Sequence, residues 1–412
     1  MPAPVPPAGT GRPAPGGPAQ AGWRPQPVLA LLWVLAAAAL AGWPLLTRAP
    51  NRLLTGQGLM LHTLGSGSHT AVPALILVLM LLLLAGCAWP DGRRRRLRDG
   101  LTMAAAGLLL ASLVACAGLE AARQAQQAGP LARIALGGGF WAAALLAWAM
   151  AADAGRRRPL RAGGQALLHA ALLLPPALML NAGWLDALSL LHEYANRQDV
   201  FQAALWRHGQ IVALSLACTL LIGLPLGLAA AQHPALGGPL LAALNLVQTV
   251  PSLALFGLLI APLAAIGAAW PASGVQGVGL LPAVIALTLY ALLPVVHGLV
   301  SGLTQVSPAV RDAATGMGLS APQRLWQVDL PLALPVLWSA LRLTSVQLIG
   351  LAVVAALIGA GGLGGLIFQG LSSSALDLVL LGVLPVVGGA LLVDAGFGLV
   401  AARLAPLTLS SP

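Results

Sequence analysis

Residues 307–335 read SPAVRDAATGMGLSAPQRLWQVDLPLALP and separate two long apolar runs of the chain. Ser307 followed by Pro308 predicts a helix start, because a hydroxyl side chain caps free amides and proline suits the first helical position. Ser320 and Pro322 repeat this pattern and predict a second short helix. The stretch therefore predicts a pair of short helices in a loop between two apolar segments.

The composition around this loop is that of a membrane protein. Of 412 residues, 58% are apolar and 8% are charged, whereas soluble domains carry about 25% charged residues. Apolar runs of about 20 residues are long enough to cross a bilayer as helices. We predict an all-α polytopic membrane protein with about ten transmembrane helices. The runs lie at 28–47, 73–90, 100–118, 134–153, 164–183, 207–231, 239–267, 280–304, 332–357 and 377–402.

The ionisable residues exclude several chemistries. All 21 basic residues are arginines, and a P-loop requires a lysine, so any ATP that drives the protein binds to another subunit. The seven histidines are scattered and predict no metal site, and the three cysteines lie apart in apolar stretches. No set of nucleophile, base or metal ligands is present, which argues against an intramembrane enzyme and predicts no catalytic residues.

The chain divides into regions of different composition. Residues 1–27 contain nine prolines and predict a disordered tail. Residues 28–204 carry arginine-rich loops and form an accessory membrane region of about five helices. At its carboxyl end, residues 185–206 predict a connector that lies along the outer surface as an amphipathic helix. Residues 205–404, rich in Gly and Pro, form the working core, and 405–412 form a tail.

Two arginine clusters indicate the orientation, because cytoplasmic loops retain positive charge. We place both clusters, both termini and the 307–335 loop in the cytoplasm. The clusters are predicted to contact membrane lipid headgroups in preference to nucleic acid. Their members are Arg93, Arg94, Arg95, Arg96 and Arg98 in the first cluster, and Arg156, Arg157, Arg158 and Arg161 in the second.

The 307–335 loop resembles the EAA loop of ATP-binding-cassette importer permeases. That family has Glu-Ala-Ala, three residues, Gly, nine residues, Ile, one residue and Leu-Pro. The matching residues here, with Asp for Glu and Val for Ile, are Asp312, Ala313, Ala314, Gly318, Val328, Leu330 and Pro331. The resemblance implies that the last five helices form a type I (MetI-like) importer core in a bacterial inner membrane.

The same resemblance implies partners and residue roles. The permease would work with ABC ATPase subunits that bind the ATP, with a separate extracytoplasmic substrate-binding protein, and with a second permease, identical or similar. Asp312 would contact the ATPase, while the small residues Ala313, Ala314 and Gly318 would allow close packing. Leu330 and Pro331 would fix the angle at which the loop joins the next helix.

Three further segments resemble osmoprotectant permeases, the importers of glycine betaine, choline and carnitine. They are Gln248–Leu255, Leu289–Val296 and Ile358–Gly364. The usual Arg-Asn-Thr after the second segment is replaced by residues 297–299 (HGL). The long N-terminal region resembles a longer-permease subgroup of this family. The alternatives are a permease for another small solute such as an amino acid, and an ion-coupled secondary transporter.

The translocation path is predicted near prolines of the core, because prolines interrupt helices and free backbone carbonyls beside a cavity. A quaternary ammonium ligand could meet the ring of Tyr290 through a cation–π contact, although a tyrosine in a membrane helix more often serves packing. The candidate residues are Thr249, Pro251, Ser252, Tyr290 and Pro294.

Two charged residues fall inside predicted spans. A charge at the bilayer centre costs about 3 kcal/mol on insertion scales. Arg342 in the ninth run and Asp394 in the tenth lie at similar depths, so we predict that they form an interhelical pair with a structural role in preference to a transport role.

Overall fold

The structure is a computed structural model that describes residues 26–51, 56–65, 71–88, 95–127, 132–158 and 162–404. The predicted tails lie outside these residues, except that Gln26 and Pro27 are described and Pro27 begins the first helix. Within the described ranges the chain is mainly helical, and its helices form an N-terminal unit and a C-terminal unit joined by a short helix.

The N-terminal unit contains five helices and a small sheet. The helices are α1 (Pro27–Gly42), α2 (Ala71–Ala88), α3 (Arg95–Gln127), α4 (Gly138–Arg157) and α5 (Ala162–Asn181). The strands are β1 (Leu46–Ala49), β2 (Gln57–Leu59) and β3 (Arg133–Leu136), paired antiparallel in the order β2-β1-β3. Leu46 lies opposite both Leu59 and Leu136. Buried leucines of α3, such as Leu109 and Leu113, join the core of this unit.

The sheet was not predicted from the sequence, and its strands replace the ends of two predicted spans. Helix α1 stops at Gly42, so the predicted first span (28–47) is too long at its carboxyl end. The predicted fourth span (134–153) begins in β3 and becomes helical only at Gly138. Gly137 makes this possible, because a Cβ there would lie 2.2 Å from the carbonyl oxygen of Pro44. The apolar runs did not reveal this pairing because strand and helix segments can be equally apolar.

The C-terminal unit is built around α10. Its helices are α7 (Gln198–Gln232), α8 (Pro234–Thr249), α9 (Ser252–Ala269), α10 (Leu280–Thr304), α11 (Pro308–Gly316), α12 (Ala321–Arg324), α13 (Leu330–Leu351), α14 (Leu363–Ser372) and α15 (Leu376–Leu404), preceded by the joining helix α6 (Ser189–Asn196). Helix α10 packs between α7 and α13. Gly298 allows the close approach to α13, since a Cβ there would lie 2.3 Å from that of Ala340.

The two ends of the bundle are distinct. Gly223 faces Val295 and Gly227 faces Leu299, so α7 and α10 run in the same direction. Both helices therefore start at the end that carries the sheet and α6, called the sheet end here. They finish at the opposite end, called the loop end, where residues 305–329 lie.

Each of the ten predicted runs lies for the most part on helix within the described residues, but the helices differ in length. Within the described residues, seven helices are long and apolar enough to cross a membrane. These are α3, α5, α7, α9, α10, the continuous helix Ala321–Leu351, and α15. Helices α1, α2, α8 and α14 are apolar but shorter. The 239–267 run divides at Val250-Pro251, because proline has no amide proton and holds the preceding residue in an extended conformation.

The predicted amphipathic connector is divided between two helices, and part of a predicted loop is helical. The predicted connector (185–206) contains α6, but from Gln198 onward it is already the start of α7. Arg98 was assigned to a loop cluster and instead lies inside α3, where it is buried and its Nη2 is 3.0 Å from Oδ1 of Asp99. Pairing with the adjacent carboxylate allows this arginine to be buried in the helix.

Candidate functional site

The segment with the Asp-Ala-Ala sequence forms a helical hairpin at the loop end. We call residues 305–329 the DAA loop. It consists of α11, a turn, α12 and a single π-helical turn over Leu325–Asp329. The amide of Ser320 donates to Oε1 of Gln323 at 2.9 Å and caps α12. Helix α12, the π turn and α13 run on as one helix from Ala321 to Leu351, so the loop is continuous with a membrane-length helix.

Gly318 makes the turn between the two short helices. Its φ is +83°, a left-handed conformation that favours glycine. The amide of Gly318 donates to the carbonyl of Thr315 at 2.9 Å, and the amide of Leu319 donates to that of Ala314 at 3.2 Å. These bonds end α11 in the manner of a Schellman motif. Nothing lies within 4 Å of the position a Cβ would take, so the backbone and not a neighbouring side chain requires glycine here.

Asp329 joins the parts of the DAA loop. Its side chain is 7% exposed, and Oδ1 lies 3.1 Å from Nε of Arg311 on α11. On the other side, Oδ2 lies 3.6 Å from Nε of Arg324 on α12. Arg311 also donates from Nη2 to the carbonyl oxygen of Leu303 in α10 at 2.7 Å. One buried carboxylate therefore connects both short helices of the loop to the start of α13, and through Arg311 to α10.

Sequence reasoning missed the roles of Asp329, Arg311 and Arg324. All three lie within the quoted loop, where they read as ordinary charges on the surface of amphipathic helices. A signal was present, since the loop holds a single acid next to its Leu-Pro and arginines 5 and 18 residues before it. Charge spacing alone did not reveal that the hairpin turn at Gly318 folds α11 back toward this acid.

The predicted loop residues do not share one surface. Asp312 and Ala313 are exposed, but Ala314 is 2% exposed and packs into the chain. The predicted role of Ala314 in close packing with another subunit stays a prediction, and in this structure Ala314 packs against its own chain. Val328 and Leu330 are half-buried, and Leu330 packs against Leu299 and Leu303 of α10.

Pro331 lies one residue into α13. The preceding amide, that of Leu330, donates to the carbonyl of Leu325 and closes the π turn. A wide turn next to proline is expected, because proline cannot donate a bond in the helical ladder and clashes with the carbonyl four residues earlier. The turn sets the direction in which the DAA loop leaves α13.

The loop exposes three large apolar side chains that the prediction did not include. Met317 is 76% exposed and Trp326 is 69% exposed, and Val310 is also exposed. They lie on the same loop as Arg311, Arg324 and Asp329. Exposed apolar groups at an end of a membrane helix bundle are typical of a surface that another protein covers.

The predicted path residues lie around the break between α8 and α9. Thr249 and Pro251 are exposed, and the hydroxyl of Thr249 donates to the carbonyl of Leu246 at 2.7 Å. Tyr290 on α10 is 6% exposed, and its hydroxyl donates to the carbonyl of Val250 at the break. Nε2 of Gln248 donates to the carbonyl of Tyr290 at 2.8 Å.

Tyr290 therefore packs in the core of the C-terminal unit and does not present its ring to a cavity in this conformation. Its hydroxyl supplies a donor to a carbonyl that the helix break leaves free. Ser252 and Pro294 are half-buried, so the five predicted residues cluster near the break but do not form one open surface.

Arg342 and Asp394 meet between α13 and α15. Nε of Arg342 lies 2.5 Å from Oδ1 of Asp394, and Nη2 lies 2.6 Å from Oδ2, in a bidentate arrangement. The side chains are 44% and 41% exposed on the surface of the chain. The structure thus brings together the two intramembrane charges that the sequence suggested as a pair.

Comparison with known families assigns a class to this arrangement. Residues 223–406 match the profile of the family described as binding-protein-dependent transport system inner membrane component. Residues 24–191 match the family described as ABC transporter permease YehY, N-terminal domain. The chain is thus a multi-pass inner-membrane permease subunit of an ATP-binding-cassette importer.

Curated relatives indicate which family of importer permeases the chain belongs to. Over 214 residues, 52% of this chain and 88% of the relative, the sequence is 38% identical to the osmoprotectant import permease protein OsmW of Salmonella typhimurium. Over 201 residues, 49% of this chain and 86% of the relative, it is 34% identical to the carnitine transport permease protein OpuCB of Listeria monocytogenes. The chain belongs to the osmoprotectant import permease family.

A solved structure is also similar in part. A chain of the MetNI methionine ABC transporter, in an inward-facing conformation, matches with a TM-score of 0.45 and 22% identity. The match covers 51% of this chain and 98% of that chain.

Proposed function

We propose that the chain forms the translocation path for an osmoprotectant such as glycine betaine and is driven by ATP bound to partner ATPase subunits. The observation that carries the coupling part of this proposal is the DAA loop. The loop is exposed at one end of the bundle, and ion pairs of Asp329 with Arg311 and Arg324 hold its helices together. It is continuous with a helix long enough to span the membrane. The names of the relatives support the substrate class, since they transport osmoprotectants and carnitine.

The loop can act as a lever because its parts are joined. A force applied to α11 passes through Arg311 to Asp329 at the start of α13, and also to α10 through the carbonyl of Leu303. Since α13 has 22 residues, it extends over about 33 Å and reaches the sheet end. A small rotation of the loop would therefore displace the far ends of α10 and α13.

The surface that the ATPase subunit covers is formed by exposed residues of the DAA loop. Asp312 and Ala313 contribute from α11, and Met317 and Trp326 contribute apolar area that is unfavourable in water. Gly318 lies between them, where the open space around its Cα leaves room for a neighbouring chain. Val328, Leu330 and Pro331 act within the permease, by joining the loop to α13.

The path lies beside the break between α8 and α9, between this permease and a second one. Thr249, Pro251 and Ser252 supply polar or carbonyl groups there, and Pro294 places a further irregularity in α10. Tyr290 positions the break through Val250 and does not contact substrate. An extracytoplasmic binding protein delivers the solute to the sheet end.

In this proposal the loop end lies in the cytoplasm, together with both termini. Arg157 at the end of α4 and Arg96 at the start of α3 lie at that end, because α5 leads from there to the connector at the sheet end. Basic residues on the cytoplasmic side are the rule for membrane proteins and also suit anionic lipid headgroups.

Uptake of labelled glycine betaine into proteoliposomes tests the proposal. The chain is reconstituted alone, with its ATPase, and with both the ATPase and the binding protein, with ATP sealed inside the vesicles. We expect uptake only in the complete system with ATP. Uptake by the lone chain down an ion gradient would instead support a secondary transporter, and ATP-driven uptake of an amino acid without betaine uptake would change the substrate class.

A further inference from the structure

Helix α6 lies between the two units and contacts both. Leu190 and Tyr194, one turn apart, pack into a cluster with buried leucines of α14 and α15. Ser189 and Glu193, also one turn apart and next to them in sequence, face β3 of the N-terminal sheet. The buried leucines of the cluster are Leu363, Leu366, Leu378 and Leu381. A helix of eight residues thus divides its surface between two partners within the same chain.

Glu193 makes the polar contact with the N-terminal unit. It is 1% exposed, and its Oε1 lies 3.0 Å from Nη1 of Arg133 on β3. Its Oε2 lies 3.2 Å from Nε of Arg197, the residue between α6 and α7. The hydroxyl of Ser189 donates to the carbonyl of Ile134 at 2.8 Å. A carboxylate buried to this degree needs its cations, because removal of one partner leaves an uncompensated charge.

Next to α6, a contact between α7 and the turn before α14 fixes the C-terminal unit at the sheet end. Arg207, near the start of α7, donates from Nε to the carbonyl of Ala360 at 3.0 Å. Ala360 belongs to the turn between α13 and α14, where Gly359, Gly361 and Gly362 all have positive φ. Helix α5 of the N-terminal unit also packs against α15. The position of α14 and α15 is therefore set by α6, α7 and the N-terminal unit together.

We propose that α6 is a brace through which the N-terminal unit holds α14 and α15 at the sheet end, with Glu193 as its positioning residue. The N-terminal unit then acts on the core at the sheet end, opposite the DAA loop. Because α15 packs against α13 and α14 packs against α7, the brace also restrains the two helices that flank α10, and in this proposal it sets how readily the path opens at the sheet end. This inference goes beyond the transport function and assigns a role to the N-terminal unit.

Hydrogen exchange of the full chain in nanodiscs tests the brace directly. In Glu193→Gln, the carboxylate is lost while the shape is kept. We expect the amides of residues 363–381 and those of β3 both to exchange faster, by at least about tenfold. The reason is that separation of α6 from β3 costs less free energy without the carboxylate. The matched control is Glu120→Gln, since Glu120 is also buried in the N-terminal unit but pairs with Arg123 inside α3. This control should leave residues 363–381 unchanged.

Faster exchange confined to α6 and β3 in Glu193→Gln would overturn the proposal, as would equal effects of both variants on residues 363–381. If Glu193→Gln does not yield folded protein, Ser189→Ala removes only the hydrogen bond to Ile134 and should give a smaller increase in the same two segments. No increase at residues 363–381 in Ser189→Ala would then count against the brace. Hydrogen exchange is measured here without substrate or ATPase. Failure of the brace can therefore be distinguished from failure of the proposed transport function.

Discussion

Arg311 and Asp329 are 18 residues apart in sequence, and Nε of the arginine lies 3.1 Å from Oδ1 of the carboxylate. The contact closes the DAA loop on itself, and Arg324 approaches the same carboxylate from the other helix. Asp329 is buried while both arginines are partly exposed. The loop therefore depends on one acid that two cations neutralise.

Replacing this acid should loosen the loop without affecting the rest of the bundle. In Asp329→Asn, Arg311 and Arg324 lose their shared counter-ion. Both arginines are partly exposed, so the loss is that of charge-assisted hydrogen bonds, about 1.5–3 kcal/mol before solvent screening. We expect the amides of residues 308–329 to exchange much faster. The amides of α10 that precede Leu303 should keep their protection from exchange. Asp312→Asn is the comparison, because Asp312 is an exposed acid in the same loop. Equal exchange in the two variants would show that Asp329 does not hold the loop.

The turn at Gly318 should accept only residues that tolerate a positive φ. Asn adopts this conformation more readily than other residues, whereas a β-branched residue in it is a strong outlier. We expect Gly318→Asn to keep most ATP-driven uptake and Gly318→Val to lose most of it, with an added cost of about 1–2 kcal/mol for the left-handed conformation. Both variants add a side chain to the open space, so equal loss in both would point to steric exclusion of the ATPase and not to the backbone.

The pair of Arg342 and Asp394 should stabilise the folded bundle. In Arg342→Ala the carboxylate remains in the membrane without its partner, and a charge there costs about 3 kcal/mol on insertion scales. We expect a marked fall in thermal unfolding temperature in detergent, and recovery in the exchanged variant Arg342→Asp with Asp394→Arg. Arg157→Ala serves as the control, since Arg157 pairs with Asp153 within one helix at the loop end. A full loss of uptake in the exchanged variant, with stability restored, would instead assign the pair to transport.

Tyr290 should behave as a packing residue. Tyr290→Phe keeps the buried ring and removes the hydroxyl that donates to Val250, so the free energy of unfolding should fall by about 1 kcal/mol. The concentration of betaine at half-maximal uptake should not change. Tyr194→Phe, which removes the chain's other tyrosine hydroxyl, is the matched variant. A tenfold rise in the half-maximal concentration for Tyr290→Phe alone would place this residue in the path.

The sequence was informative where one physical property dominates. Apolar runs located the helices, because a bilayer tolerates only segments that satisfy their own backbone hydrogen bonds. The helix starts at Ser307 and Ser320 also agree with the structure, since capping is a local requirement. The meeting of Arg342 and Asp394 could be anticipated because unpaired intramembrane charges are costly.

Features that depend on contacts between distant segments could not be read in this way. Between β1 and β3 lie 83 residues, which include α2 and α3, and the pairing of the strands depends on the approach of Gly137 to Pro44. The burial of Ala314 and the central position of Asp329 follow from how α11 folds back onto α13. The spacing of charges in the sequence does not show that the turn at Gly318 brings α11 close to Asp329, because this depends on the angle between the two short helices.

The ratio of glycine betaine transported to ATP hydrolysed, measured in proteoliposomes that contain the complete importer, tests the central claim most directly. If the DAA loop transmits the ATPase movement through Asp329, Asp329→Asn should continue to hydrolyse ATP while transporting much less betaine per ATP than the unmodified chain. An unchanged ratio in Asp329→Asn, in protein whose loop is shown by hydrogen exchange to be loosened, would contradict the claim that this loop couples hydrolysis to transport.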